Sequence, residues 1–204
     1  GDQSGNFEYI RFHIPTFIGS GLSGYNYASS DVDGIFGGSS VSYARDLQWK
    51  TFIPVTYCMS GWATNDKHPW NYGTTITDIN RNYLKLKMRL TPYLYTYCNA
   101  AWETGTPVVR AMLLESPDDP ICLDKTTQYQ FLSGESFLVA PVYKPALERD
   151  SIYFPAGKWI DYWNGTVYEG PLTLNDYPAD LSKCPVFVKA GAIVPMYPEM
   201  LYDN

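Results

Sequence analysis

SSDVDGIFGGSSVSYARDLQWKTFIPVTYCM, residues 29–59, contains three kinds of segment in one run. An acid-bearing loop comes first, within a Gly/Ser-rich stretch spanning Gly19 to Ser40. Such stretches form loops whose backbone angles glycine tolerates best. A helix is predicted over Ser42 to Phe52. Ile53 to Met59 then reads as a short buried strand opening into a polar loop, SGWATNDKHPWNYG. Upstream, EYIRFHIP marks a helix from Phe7 to Ile18, broken near Pro15. Helix alternating with strand, with long polar loops after the strands, is how a (β/α) barrel looks, and its chemistry gathers on the loops at the strand C-termini. About 120 residues share this texture, whereas a whole barrel needs roughly 250, so only part of one fits.

Working outward, Thr77 to Glu103 is the clearest helical stretch. Ile79, Tyr83, Leu86, Leu90, Leu94 and Tyr97 fall on one stripe at steps of three and four. Thr77 suits an N-cap, Pro92 predicts a kink, and Gly105 followed by Pro107 ends the helix. Past Thr106 the texture changes. VVRAMLL, SFLVAPVY, SIYFPAG, KWIDYWNG and PVFVKAGAIVPMY are short, β-rich and separated by Gly/Pro turns. They predict an antiparallel β-sandwich. The expected organisation is therefore α/β plus all-β: barrel portion over residues 1–120, sandwich over 121–204, with the boundary placed between Pro117 and Gln130.

Composition narrows the function. Net charge is −6 and the basic residues are scattered, which excludes a phosphate-tracking stripe and nucleic-acid binding. No segment approaches the roughly 20 apolar residues of a membrane helix, and no leader peptide is visible. The 18 Tyr, 6 Trp and 9 Phe suit sugar stacking or core packing. Cys58, Cys98, Cys122 and Cys184 form no CxxC pair; two disulfides and four free thiols are both open. With His13 and His68 as the only histidines, neither a metal centre nor another cofactor is expected. Low lysine content with abundant Tyr, Asn and Ser leans towards a secreted protein, and Asn164-Gly165-Thr166 is a glycosylation sequon at an expected turn.

Three acids sit in glycine-rich loops: Asp2, Asp31 and Asp33. Carboxylates at a barrel mouth can act as acid and nucleophile on a glycosidic bond. They can equally cap their own loops. A calcium loop is excluded, because SSDVDG has Ile35 at the fifth position and Ser42 at the twelfth, where ligands are needed.

Taken in order, the segments resemble glycoside hydrolase family 31, the α-glucosidase and α-xylosidase family. GDQSGNFEYIRF is similar to its W-x-G-D segment, SSDVDGIFGG to its G-x-D-[IV]-x-G-F loop, and ARDLQWKTFIPV to its R-W-x-x-L-G-A-F-x-P-F segment. LKLKMRLTPYLYTY, GTPVVRAM, SGESFLVAPV and FPAGKWIDYWNG match later segments of the same family. The resemblance implies that Asp2 is the general acid/base, that Asp31 grips hydroxyls of the sugar in the −1 subsite, and that Phe36 closes that loop. Asp33 replaces a variable residue and is either a capping residue or an extra sugar ligand. The family's nucleophile segment, W-x-D-[MFL]-[NS]-E, is not found. WIDYWNG lacks its Glu and falls in the β-rich tail. The chain is therefore expected to be a fragment whose partner is the remaining barrel half, carrying the nucleophile.

One departure stands out. Many α-glucosidases carry an R-x-H pair after the strand, where this chain has Tyr57 and Met59, or Ser60 and Trp62 with a gap. His68 is either a loop histidine or a substrate contact. Trp62 and Trp70 are either an acceptor platform or inter-domain packing. The departure argues against simple maltose-type specificity, and S-D-x-D-G-I-F-G-G (Ser30–Gly38) together with R-D-L-Q-W-K (Arg45–Lys50) is similar to the transglycosylating branch that handles α-1,6- and α-1,3-linked glucans, of the isomaltosyl-transferring and cycloalternan-forming kind. The implied activity is retaining double displacement on α-glucans or α-gluco-oligosaccharides, ending in hydrolysis or transfer. A non-catalytic carbohydrate-binding module is the alternative from another class.

Overall fold

The computed structural model describes residues 2–199. Its first part presents three strand ends side by side. Gly5 and Gly38 form a parallel bridge, and so do Asp31 and Tyr57. Each strand end is followed along the chain by a helix: α1 (Phe7–Leu22), α2 (Ser40–Lys50) and α3 (Thr74–Arg89). This is the C-terminal portion of a TIM barrel, with its strands reduced to bridges at the rim.

The helices differ from expectation in instructive ways. α1 runs through Pro15 and on to Leu22 rather than ending at Ile18. Ile10, Ile14, Phe17 and Ile18 are buried along one face, and that packing outweighs the hydrogen bond Pro15 removes. Gly21 allows the last turn to approach the sheet, because a Cβ there would lie 2.8 Å from the Val109 carbonyl oxygen. The Thr77–Glu103 stretch is two helices, α3 and α4 (Thr91–Thr104), not one kinked helix. The break is at Leu90, with Pro92 in the first turn of α4, where its missing N–H costs nothing. α3 starts at Thr74 after Gly73, so Thr77 is not its cap. Gly105, at φ 77°, ends α4 in the left-handed conformation as its position predicts.

α2 is short of apolar residues, yet Ser42 through Lys50 are all buried. The helix lies between the barrel loops and the second domain, and its polar side chains are consumed in joining them. Arg45 donates to the carbonyls of Ala179 (2.6 Å) and Lys183 (2.9 Å), and Gln48 to that of Leu181 (2.7 Å).

The second domain is an antiparallel β-sandwich. Its main sheet has the order β1-β2-β3-β8-β5-β6, formed by β1 (Val109–Arg110), β2 (Phe131–Ser133), β3 (Phe137–Val139), β5 (Ile152–Asp161), β6 (Val167–Leu174) and β8 (Val186–Lys189). β4 (Glu148–Arg149) and β7 (Tyr177–Pro178) form a separate pair. SIYFPAG and KWIDYWNG, which read as separate segments, are one strand with an irregularity between Phe154 and Gly157. The expected Ile53–Met59 strand survives only as the bridge at Tyr57. VVRAMLL contributes two strand residues before turning into a short helix, Met112–Glu115.

Side chains alternate across this sheet, as the two-residue period of a strand demands. Phe131, Phe137, Val139 and Val186 face the barrel core with Trp49, Phe52 and Tyr93. Leu132, Leu138 and Phe187 face a second core with Ile152, Phe154 and Trp159. All four cysteines are free thiols.

Candidate active site

The site begins with glycine. The strand end carrying Asp2 and the Ser30–Phe36 loop touch through backbone. Phe36 donates its N–H to the Gln3 carbonyl (3.2 Å) and Gly5 donates to the Gly37 carbonyl (3.0 Å). Contact this close requires bare Cα atoms. A Cβ on Gly34 would lie 2.3 Å from the Gln3 oxygen, and one on Gly5 would lie 2.0 Å from the Asp33 carboxylate. Asp2 itself is exposed and makes no side-chain hydrogen bond to the described residues.

Asp31 is 7% exposed, and its Oδ1 is buried without a hydrogen-bond partner among the described residues. Buried carboxylate oxygens are ordinarily paired, so this one stands out. The Asp31 main chain is firmly held. Val32 donates to the Tyr57 carbonyl at 3.0 Å, and the buried Lys50 ammonium donates to the Asp31 carbonyl at 2.7 Å.

Asp33 sits two residues on in a left-handed conformation, φ 61°, which Asp tolerates better than most side chains. It is 2% exposed. Its Oδ2 accepts from the Gly38 N–H at 2.6 Å, and its own N–H donates to Asp46 Oδ2 at 2.8 Å. That is the geometry of a loop-capping aspartate, and its Oδ1, like that of Asp31, is buried without a partner among the described residues. The cavity it lines with Asp46 and His13 has a volume of about 10 Å³, room for a single water. Burial pushes the Asp33 carboxyl up to about 6. Burial, reinforced by the nearby Lys50 ammonium, pulls the His13 imidazole down to about 4.

Beneath the loop, Asp46 holds three donors: the Lys50 ammonium at 2.6 Å, the Asp33 N–H and, at 2.9 Å, the Trp49 indole N–H. Asp46 and Lys50 are an i,i+4 ion pair with almost no exposed surface. On the other side, Lys67 is 2% exposed and donates to the carbonyls of Val32 (2.9 Å) and Gly34. Neither Lys50, Asp46 nor Lys67 is a sequence-level candidate. The i,i+4 spacing of Asp46 and Lys50 was a usable signal. Lys67 reads as a surface lysine in a polar loop.

The aromatic candidates surround these loops. Phe36 is 42% exposed and Trp62 is 68% exposed. His68 is exposed and stacks on Trp70, with ring centroids 4.8 Å apart and planes 3° from parallel. The structure thus gathers Asp31, Asp33 and Phe36 on one loop, joins the Asp2 strand to it by backbone, and brings the Trp62–His68 loop alongside through Lys67.

Residues 1–97 match the family model "Glycosyl hydrolases family 31 TIM-barrel domain", and residues 105–194 match "Glycosyl hydrolase family 31 C-terminal domain". The chain belongs to glycoside hydrolase family 31. Among its family 31 relatives, an isomaltosyltransferase of Sporosarcina globispora is 34% identical over 208 residues, covering 96% of this chain and 19% of that protein. Alpha-glucosidase 2 of Bacillus thermoamyloliquefaciens is 33% identical over 197 residues, covering 95% of this chain and 24% of that protein. A family 31 dextranase of Flavobacterium johnsoniae, solved with isomaltotriose, superposes with a TM-score of 0.90 at 34% identity, covering 100% of this chain and 26% of that one. The chain therefore spans about a quarter of the length of the family 31 proteins it matches, the fractions being 19%, 24% and 26%.

Proposed function

We propose that this chain supplies the acid/base and a sugar-gripping loop of a retaining α-glycosidase acting on α-glucans or α-gluco-oligosaccharides. The observation that carries the reading is Asp31: a buried carboxylate with one unpaired oxygen, on a loop hydrogen-bonded to the strand end that bears Asp2. In this reading a carboxylate from the rest of the enzyme attacks the anomeric carbon. Asp2 gives its proton to the departing oxygen as the C1–O bond breaks, and a glycosyl-enzyme forms. The Asp2 carboxylate then takes a proton from water or an acceptor hydroxyl, whose oxygen attacks C1 and releases the nucleophile. Retaining sites hold the two carboxyl groups about 5–5.5 Å apart. Asp2 is exposed in this chain, on the strand end that the Asp31 loop contacts through backbone. Asp31 accepts hydrogen bonds from ring hydroxyls, and Asp33 shapes the loop through the Gly38 N–H.

Transfer to a sugar acceptor is the second reading, favoured by two observations. Tyr57 and Met59 stand where many α-glucosidases carry R-x-H, and Trp62 and Trp70 offer broad exposed faces, 68% and 65% exposed, on which an acceptor ring can stack.

In the full-length enzyme, Asp2→Asn should lower kcat/KM on oligosaccharides by about 10²–10⁴-fold while the melting temperature stays unchanged. Aryl and fluoride glycosides, which need little protonation, should lose far less. A uniform loss over all leaving groups contradicts the assignment. Products longer than the substrate, from maltotriose, isomaltotriose or nigerose, identify a transferase. Glycan binding without turnover, with the nucleophile intact, identifies a binding module instead.

A further inference from the structure

Lys67 is a buried ammonium with no carboxylate within ion-pair distance among the described residues; its Nζ partners are the carbonyls of Val32 and Gly34. Taking an ammonium out of water without a paired charge is costly, so such a site persists only where the hydrogen bonds it makes are needed. The loop explains the need. Asp33 and Gly34 both have positive φ, 61° and 63°, and in this turn neither the Val32 nor the Gly34 carbonyl accepts from a backbone N–H of the described residues. Left alone they would be buried, unpaired acceptors. The lysine's own loop is tied in reverse. The Lys67 N–H donates to Ser60 Oγ at 2.8 Å, and the Cys58 thiol donates to the Lys67 carbonyl at 3.2 Å. The lysine stem packs on the same joint. A Cβ at Gly37 would lie 3.2 Å from Lys67 Cδ and 3.4 Å from Ala63, next to Trp62.

We infer that Lys67 is a positioning residue that locks the Trp62–His68 loop onto the Asp31 loop, so that the aromatic acceptor side and the donor-sugar ligand move as one body. The inference rests on the proposed function for its catalytic consequence, but not for its structural one. Disengaging the ammonium frees the Asp31 loop to shift, and misplacement of a substrate ligand by about 1 Å can cost about 100-fold in rate. It also frees Trp62 relative to Asp31, which weakens acceptor capture more than donor binding.

Full-length Lys67→Met and Lys67→Arg decide it, with Lys87→Met as the matched control. Lys87 likewise donates to two carbonyls, those of Ile53 and Pro54, but makes no hydrogen bond to the Asp31 loop or to the Trp62–His68 loop. Amide hydrogen exchange without sugar is the first readout. Lys67→Met should speed exchange in residues 30–36 and 58–68 together, Lys67→Arg should restore part of the protection, and Lys87→Met should leave both segments as they were. Exchange that rises in one segment only, or equally in Lys87→Met, overturns the locking role. Kinetics form the second readout. Lys67→Met should lower kcat about 10- to 100-fold and reduce the ratio of transfer to hydrolysis, beyond any loss tracking its melting temperature. Unchanged kcat and product ratio alongside coupled exchange overturns the catalytic consequence alone. A wild-type enzyme inert on every α-glucoside instead overturns the proposed function and leaves the exchange result to judge the lock.

Discussion

The sandwich and the barrel rim satisfy their backbones by different means. In the sandwich, carbonyls and amides meet across strand ladders: β5 pairs with β6 at seven registered positions and with β8 at three. At the rim, the Ser30–Phe36 loop has no ladder. Its carbonyls are met by Lys50 and Lys67, and its Val32 and Phe36 N–H groups donate to the carbonyls of Tyr57 and Gln3 on neighbouring strand ends. A ladder shares its load over many neutral bonds. The rim depends on a few buried charges, each with partners it cannot exchange. The lesson is that the substrate loop is shaped by side chains, and is correspondingly fragile to single substitutions.

Lys50→Met is the severest test of that contrast. It leaves Asp46 as a buried carboxylate without its ion-pair partner and should cost about 3–5 kcal/mol in urea unfolding. A smaller loss than that of a sheet-core truncation would remove the distinction between the two regions. Acidity sharpens it further. Asp33, raised to about 6, holds its proton more tightly folded than unfolded, so its contribution to stability falls as pH rises from about 4 to about 6. His13, lowered to about 4, holds its proton less tightly folded, so its contribution falls as pH drops from 6.5 to about 4. The two slopes oppose each other. Asp33→Asn should unmask the histidine, and stability should then fall by about 1 kcal/mol per pH unit on acidification through this window. His13→Gln should give the opposite slope. The sandwich edge should respond least. Glu169 is exposed and faces Lys158 across β5 and β6, and Glu169→Ala should shift stability by no more than about 0.5 kcal/mol.

Local chemistry made parts of this legible in advance. The stripe from Ile79 to Leu94 buries as its spacing requires, and Gly105 ends α4 because its φ of 77° suits glycine. The break at Leu90 was not legible, since a proline serves equally to kink a helix or to open a new one. β6 was missed because VYEGPLTL has no apolar alternation; much of it is exposed at the sheet edge. At the site, the acids Asp31 and Asp33 announced themselves by their glycine-rich setting. Lys67 did not, because its partners are carbonyls 33 and 35 residues away, and no side-chain pattern encodes a carbonyl.

The alternation of Phe131, Phe137, Val139 and Val186 against Leu132, Leu138 and Phe187 makes one sheet a common wall for two cores. Modularity is limited by that wall. Transplanting the C-terminal domain between distant homologues would exchange the sheet face on which Trp49, Phe52 and Tyr93 rest, so a viable chimera has to carry α2 and α4 along with the strands.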